Sequence, residues 1–162
     1  TGRRRLALGT ALNDAVFGSG GIARMVLLSL AIGGRRVATY PADGLIVATP
    51  SGSTAHSLSA GGPILAPGVE GFAITPIAPH TLSHRPLVVP ADARISVRVS
   101  ESRHPILLTL DGQQARRLAQ GDLVEMARAR HPCRFILLSE HSYFATLRRK
   151  LTWDRDPRRW RP

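Results

Sequence analysis

The sequence predicts a mainly-β domain, two packed sheets in a sandwich-like arrangement. One short helix follows a Gly-Ser turn and a second lies near the carboxy terminus. Three observations carry this expectation. Apolar runs are short and interrupted by 15 glycines and 12 prolines. Turn signals recur at intervals of about 8–12 residues, the rhythm of a sandwich or layered β domain. Residues 94–100 alternate, with Ile95, Val97 and Val99 on one face and Arg94, Ser96 and Arg98 on the other.

Taken in order, Asp14 stands at the mouth of a short strand. Residues 22–32 form the first long apolar run, and Gly33-Gly34 after it makes a hairpin turn, since glycine accepts positive φ. Residues 35–40 and 45–48 read as the next strands. Residues 54–60 read as a helix ended by Gly61-Gly62. Residues 94–100, 106–110, 123–128 and 134–138 complete the strands. Residues 143–151 read as a helix with Phe144, Leu147 and Leu151 on one face. Its last turn carries Arg148, Arg149 and Lys150, where cations suit the helix dipole. The expected domain runs over residues 1–153, and residues 154–162 are rich in Arg, Asp and Pro and read as a frayed tail.

With 162 residues, 43% of them hydrophobic, the chain is long enough for one domain with a real core. Twenty-two basic residues against 11 acidic ones give a formal charge of +11. That balance admits a polyanionic partner, or simply an arginine-rich solvated surface. Cys133 is the only cysteine, which excludes an intrachain disulfide; in the strand-like run 133–138 it is expected to be a buried, inert thiol. No apolar run is long enough to span a bilayer and no signal peptide is visible, so a cytoplasmic setting is expected. The chain opens at Thr1 rather than Met, which suggests an upstream segment.

The most informative stretch runs from Asp43-Gly44 through the strand to Thr49-Pro50-Ser51-Gly52-Ser53-Thr54-Ala55-His56-Ser57-Leu58-Ser59. Small residues let a ligand approach the backbone closely. The first N–H groups of the helix are expected to lack internal partners and to point outward, and Ser53, Thr54, Ser57 and Ser59 add hydroxyls around the opening. The local pattern equally describes a capped helix on a glycine-rich turn, with Ser53 as N-cap. The turn holds no lysine, so it is not a P-loop.

This stretch resembles the signature of the NAD kinase family. Leu12-Asn13-Asp14 is similar to the family's Asn-Glu or Asn-Asp pair. The segment Pro79-His80-Thr81-Leu82-Ser83-His84-Arg85-Pro86 is similar to its Pro-His-Ser-Leu-Ser-x-Arg-Pro run. Leu110-Asp111-Gly112-Gln113 resembles its late Asp-Gly-Gln turn, and the ending at residues 147–151 is also similar. The motifs occur in order over nearly the whole chain. The resemblance implies an enzyme that moves the γ-phosphoryl group of ATP (polyphosphate in some members) to the adenosine 2′-hydroxyl of NAD, with a divalent metal, expected to be magnesium. It also implies a homodimer or homotetramer.

By the same resemblance, Asn13 and Asp14 grip the ribose and adenine, Arg24 contacts the ligand, and Asp43 reaches the nicotinamide side. Thr54, Ala55, His56, Ser57, Leu58 and Ser59 form the main binding segment, and Gln113 is a late contacting amide. Each residue has a plainer alternative as a turn, cap or solvated strand residue. The family's catalytic Asp belongs to a Gly-Gly-Asp-Gly motif in an amino-terminal α/β domain. That motif does not occur here, so no catalytic residue is assigned to this chain. His56 stands where many members carry Tyr, Ser51 replaces a usual Thr, and Pro41 occupies a position where some carry Arg. His80 and His84 have a metal-like spacing without a nearby Cys or carboxylate, so no metal site is assigned. The alternatives are a lipid or sphingoid-base kinase-like domain, a basic nucleic-acid-binding β module, and a purely structural oligomerisation domain. The second is disfavoured because aromatics are only 5% and the basic residues are dispersed.

Overall fold

The computed structural model describes residues 7–19, 25–102, 104–136 and 142–153. The chain divides into two compact units, residues 1–131 and 132–162.

Among the described residues the first unit holds ten strands in two antiparallel sheets. One sheet has the order β6-β5-β4-β1-β8-β9 and the other β10-β7-β2-β3. The strands are β1 (Asp14–Gly18), β2 (Val26–Ile32), β3 (Arg35–Ala42), β4 (Gly44–Ala48), β5 (Gly71–Ile77), β6 (Leu87–Pro90), β7 (Ile95–Glu101), β8 (Ile106–Leu110), β9 (Gln114–Leu118) and β10 (Leu123–Met126). The mainly-β, two-sheet expectation holds. Alternation explains the core. Leu28 and Leu30 of β2 and Ile95, Val97 and Val99 of β7 meet Phe17 of β1, Leu45 and Val47 of β4 and Ile106 and Leu108 of β8 in one cluster.

Strand β4 is buried on both faces. Leu45 and Val47 enter the main core, while Ile46 and Ala48 pack with Leu65 and Ala73 in a second cluster. Its unbroken apolar run is what a doubly covered strand requires. Gly44 lies against β1, where a Cβ would stand 2.3 Å from the Phe17 carbonyl oxygen. The Gly33-Gly34 hairpin forms as expected, with φ of 56° and 79°.

Three strands lie outside the sequence expectations. Strand β5 contains Pro76, which argues against an interior strand. It is tolerated because β6 pairs only with residues 71–74, leaving Pro76 beyond the end of β6. Strand β6 is only four residues long, and β9 reads Gln-Ala-Arg-Arg-Leu, an exposed edge without alternation.

In the second unit, residues 132–136 form no regular element, and residues 137–138 of the expected strand lie outside the described residues. Cys133 is exposed rather than buried, and among the described residues no strand pairs with this stretch. Helix α2 (Tyr143–Leu151) starts where expected, with the Ser142 side chain accepting from the Ala145 N–H. Its buried residue is Leu147, whereas Phe144 is 63% exposed. The residues following Trp153, and Arg24, lie outside the described residues. Among the described residues no helix is long and apolar enough to cross a membrane.

Candidate functional site

Three segments meet at the Asp14 end of the β1–β4 ladder: residues 12–14, the 49–56 loop, and the turn after β8. They enclose a cleft of about 280 Å³, at the lower edge of the volumes of small-ligand sites, roughly 300–1,000 Å³. Asn13, Asp14, Ala55, His56, Asp111 and Gly112 line it.

The 49–56 loop is built by hydrogen bonds that the small residues make possible. The Ser53 N–H donates to the Thr49 carbonyl at 2.9 Å and the Gly52 N–H to Thr49 Oγ1 at 3.2 Å. A 3-10 turn, Gly52–Thr54, is followed by one turn of α-helix, α1 (His56–Ser59), so the continuous helix expected over 54–60 is two short pieces. The N–H groups of Gly52, Ser53 and Ala55 are taken by Thr49 and Gly52, so of the first N–H groups expected to be open that of Ala55 is not.

Ser53 is not an N-cap. Its hydroxyl donates to the Pro50 carbonyl at 2.7 Å and accepts from the Leu65 N–H at 3.0 Å, in full burial. Ser57 is equally buried, and its hydroxyl lies 2.9 Å from Thr75 Oγ1 on β5. Gly62 closes over that pair, since a Cβ there would stand 2.3 Å from Ser57 Oγ. Ser53 and Ser57 therefore anchor the loop from behind rather than face the opening.

Residues 12–14 are gripped by the loop on one side. The Thr49 N–H donates to the Asn13 carbonyl at 2.8 Å, and Thr49 Oγ1 donates to the Leu12 carbonyl at 2.6 Å. Gly52 packs so closely that a Cβ would lie 2.0 Å from the Asn13 oxygen. Only glycine fits that approach. On the other side lies Asp111, whose carboxylate accepts from the N–H groups of Leu12, Asn13 and Asp14 at 2.7, 2.7 and 3.0 Å.

Two carboxylates thus share the cleft in different states. Burial acts to raise the Asp111 pKa, but three backbone donors outweigh it and hold the group below its usual value. Asp14 is 6% exposed, and among the described residues no hydrogen bond reaches its carboxylate. Burial pushes its pKa up; the His56 ring opposes that shift and the Asp111 charge adds to it.

Of the residues expected at the site, Asn13, Asp14, Ala55 and His56 come together in the cleft. Thr54 is exposed beside it, with its hydroxyl donating to the Ser51 carbonyl. Leu58 is half-buried and Ser59 exposed on α1. Gln113 is exposed on the turn beyond Gly112. Asp43 lies at the opposite end of β4, 3.3 Å from His80 Nε2. His84 Nδ1 is engaged with Thr81 Oγ1 at 2.8 Å. Sequence reasoning missed Thr49 and Asp111 as builders of the cleft. The signal for Asp111 was its Asp-Gly pair, which φ of 50° at Asp111 and 67° at Gly112 turn sharply.

Comparison with known proteins gives a consistent picture. The model of the ATP-NAD kinase C-terminal domain matches residues 12–138. An NAD kinase of Gemmatimonas aurantiaca is 45% identical over 143 residues, covering 88% of this chain and 50% of that protein. One of Moorella thermoacetica is 48% identical over 142 residues, covering 88% and 46%. Among solved structures, an Archaeoglobus fulgidus NAD kinase in complex with ATP superposes with a TM-score of 0.68. It is 33% identical, over 75% of this chain and 47% of that one. Yeast NADH kinase complexed with NADH gives 0.66 at 37% identity, over 72% and 35%. The chain spans about half the length of the curated relatives it matches.

Proposed function

The chain belongs to the ATP-NAD kinase C-terminal domain family, and from that premise we propose that it is the dinucleotide-binding part of an enzyme that phosphorylates the adenosine 2′-hydroxyl of NAD with ATP, giving NADP. The observation that carries this reading is the Asp14 carboxylate, which lines the cleft from a residue only 6% exposed and receives no hydrogen bond among the described residues. Such a group is costly to the fold and suited to accepting from sugar hydroxyls. Beside it Asn13 offers an amide that both donates and accepts. The exposed His56 ring gives the adenine a stacking face across the cleft.

Thr54, Ala55, Leu58 and Ser59 contact the ligand along the rim, and Ser57 holds that rim in place. Asp43 and Gln113 serve the parts of the dinucleotide beyond the cleft, and Arg24 is a further ligand contact. Asp43 lies five residues along the strand from Ala48, about 16 Å at strand rise, so only an extended ligand reaches both ends.

Three amides hydrogen-bond the Asp111 carboxylate, and no group of three His, Cys, Asp or Glu is gathered among the described residues. The 162 residues also hold no Gly-Gly-Asp-Gly motif. This chain therefore binds and orients, and the proton acceptor for the 2′-hydroxyl comes from elsewhere in the enzyme. A cytoplasmic homo-oligomer is the expected setting.

Calorimetric titration of the 162-residue chain with NAD tests the reading, alongside an assay for NADP with ATP and magnesium. Saturable NAD binding without NADP formation is the expected result. General-base assistance and positioning supply many powers of ten in rate. Absence of NAD binding, or clear NADP formation by this chain alone, refutes the division of labour.

A further inference from the structure

We infer that Asp111 is a positioning residue, one that fixes the backbone of residues 12–14 and thereby the aim of the Asn13 and Asp14 side chains into the cleft. The inference rests on the dinucleotide reading of that cleft for its functional half.

The geometry is specific. The ladder between β1 and β8 ends at Ala15 and Leu110, and the Asp111 N–H extends it by one bond, donating to the Asp14 carbonyl at 3.0 Å. At that point φ turns positive, 50° at Asp111. Aspartate is among the few non-glycine residues that adopt such a conformation readily. The turn brings the carboxylate back over the start of β1. One oxygen accepts from Asn13 and Asp14, and the other from Leu12.

Asp122 shows what an ordinary turn carboxylate does. It accepts from the Ala119 N–H at 2.8 Å, three residues away, and closes its own turn beside Gly121. Asp111 instead ties together segments 97 to 99 residues apart. With Thr49 holding the Asn13 carbonyl, both main-chain groups of Asn13 are engaged and only its side chain is left for a ligand. Three of the roughly four acceptor positions of the Asp111 carboxylate are taken by the Leu12, Asn13 and Asp14 amides, so most of its capacity is spent on the backbone.

A second consequence is electrostatic. Among the described residues the ionisable groups facing Asp14 are His56 and Asp111, and Asp111 makes ionisation of Asp14 harder. Removing the Asp111 charge lets Asp14 ionise at lower pH, so the acidic limb of NAD binding moves down. A purely structural role of Asp111 moves affinity without moving that limb.

The test compares the wild-type chain with Asp111→Ala, Asp111→Asn and Asp111→Glu. Amide NMR shifts of Leu12, Asn13 and Asp14 are followed together with NAD affinity against pH. The expected result is upfield movement of all three amides and at least tenfold weaker NAD binding in the Ala variant. The Asn variant, which keeps one acceptor oxygen, loses less and shows the acidic limb at lower pH. It also serves should the Ala variant fail to fold. Unchanged amides, or changed amides with NAD affinity within twofold of wild type, overturn the inference. If the wild-type chain does not bind NAD, the dinucleotide reading falls, and the functional half of the inference with it. The amide shifts then report separately on whether the backbone clamp exists.

Discussion

The two ends of the β1–β4 ladder each present an aspartate, and the surroundings treat the two carboxylates differently. At the Gly18–Gly44 end, Asp43 lies in the turn between β3 and β4 and meets His80, whose side chain is about half exposed. At the Asp14–Ala48 end, Asp14 is buried with no hydrogen bond to its carboxylate among the described residues, inside a frame of three segments bonded to one another. The first is a solvated contact of the kind that contributes little. The second spends fold stability on holding a charge where water is scarce. The difference supports the proposed ligand end: the one where backbone is fixed most tightly and a carboxylate faces a cleft.

The sharpest way to break this contrast is at Gly52. A methyl group there meets the Asn13 carbonyl carbon and oxygen, which belong to backbone and cannot step aside. Gly52→Ala should cost about 3 kcal/mol, the upper part of the range for overpacking, and abolish NAD binding. Gly44→Ala meets the Phe17 carbonyl at the other end and should destabilise comparably, yet leave residual NAD affinity in the folded fraction. Denaturant midpoints read beside NAD titrations separate the two; equal loss of binding would erase the distinction between the ends.

A smaller effect is expected at Asp14 itself. Asp14→Asn keeps the shape and removes the charge, weakening NAD binding by about 1.5–3 kcal/mol, the range for hydrogen bonds to a charged group. Stability should move the other way. Because the folded-state pKa of Asp14 is raised, its protonated form favours folding at pH below the ordinary carboxylate value. That contribution is lost as pH rises through the raised value. The Asn variant should therefore melt higher than wild type at neutral pH and lose the advantage in acid. A melting temperature that falls at neutral pH would show that the charge is structurally paired.

His56 should matter less. His56→Ala removes a stacking face and should weaken NAD binding by about 1 kcal/mol, while His56→Tyr should retain most of it. Equal affinity for the wild type and the Ala variant would remove the ring from the site. The smallest effect is expected at the other end of the ladder, where His80→Ala should change stability by less than about 1 kcal/mol, as for exposed pairs. A larger loss would mean that the 78–86 segment depends on that contact.

Much of this molecule was written locally. The alternation of β7, the apolar run of β4, the Gly33-Gly34 hairpin and the bounds of α2 each follow from properties of neighbouring residues, and the structure has them where the sequence indicates. Asn13, Asp14, Ala55 and His56 could be named because their motifs are contiguous. What the sequence could not decide is everything that depends on a partner far along the chain. Cys133 and residues 134–136 have strand-like composition, but strands exist only where a neighbour supplies hydrogen bonds, and none covers them. Ser53 and Ser57 carry the same hydroxyl as Thr54 and Ser59, and only Leu65 and Thr75 behind them turn the first two into anchors. Asp111 looks like any Asp-Gly turn until the β1–β8 pairing lays residues 12–14 beneath it. The charge of a residue is a property of the sequence. Whether that charge is solvated, clamped or left waiting in a cleft depends on which segments the sheet brings together.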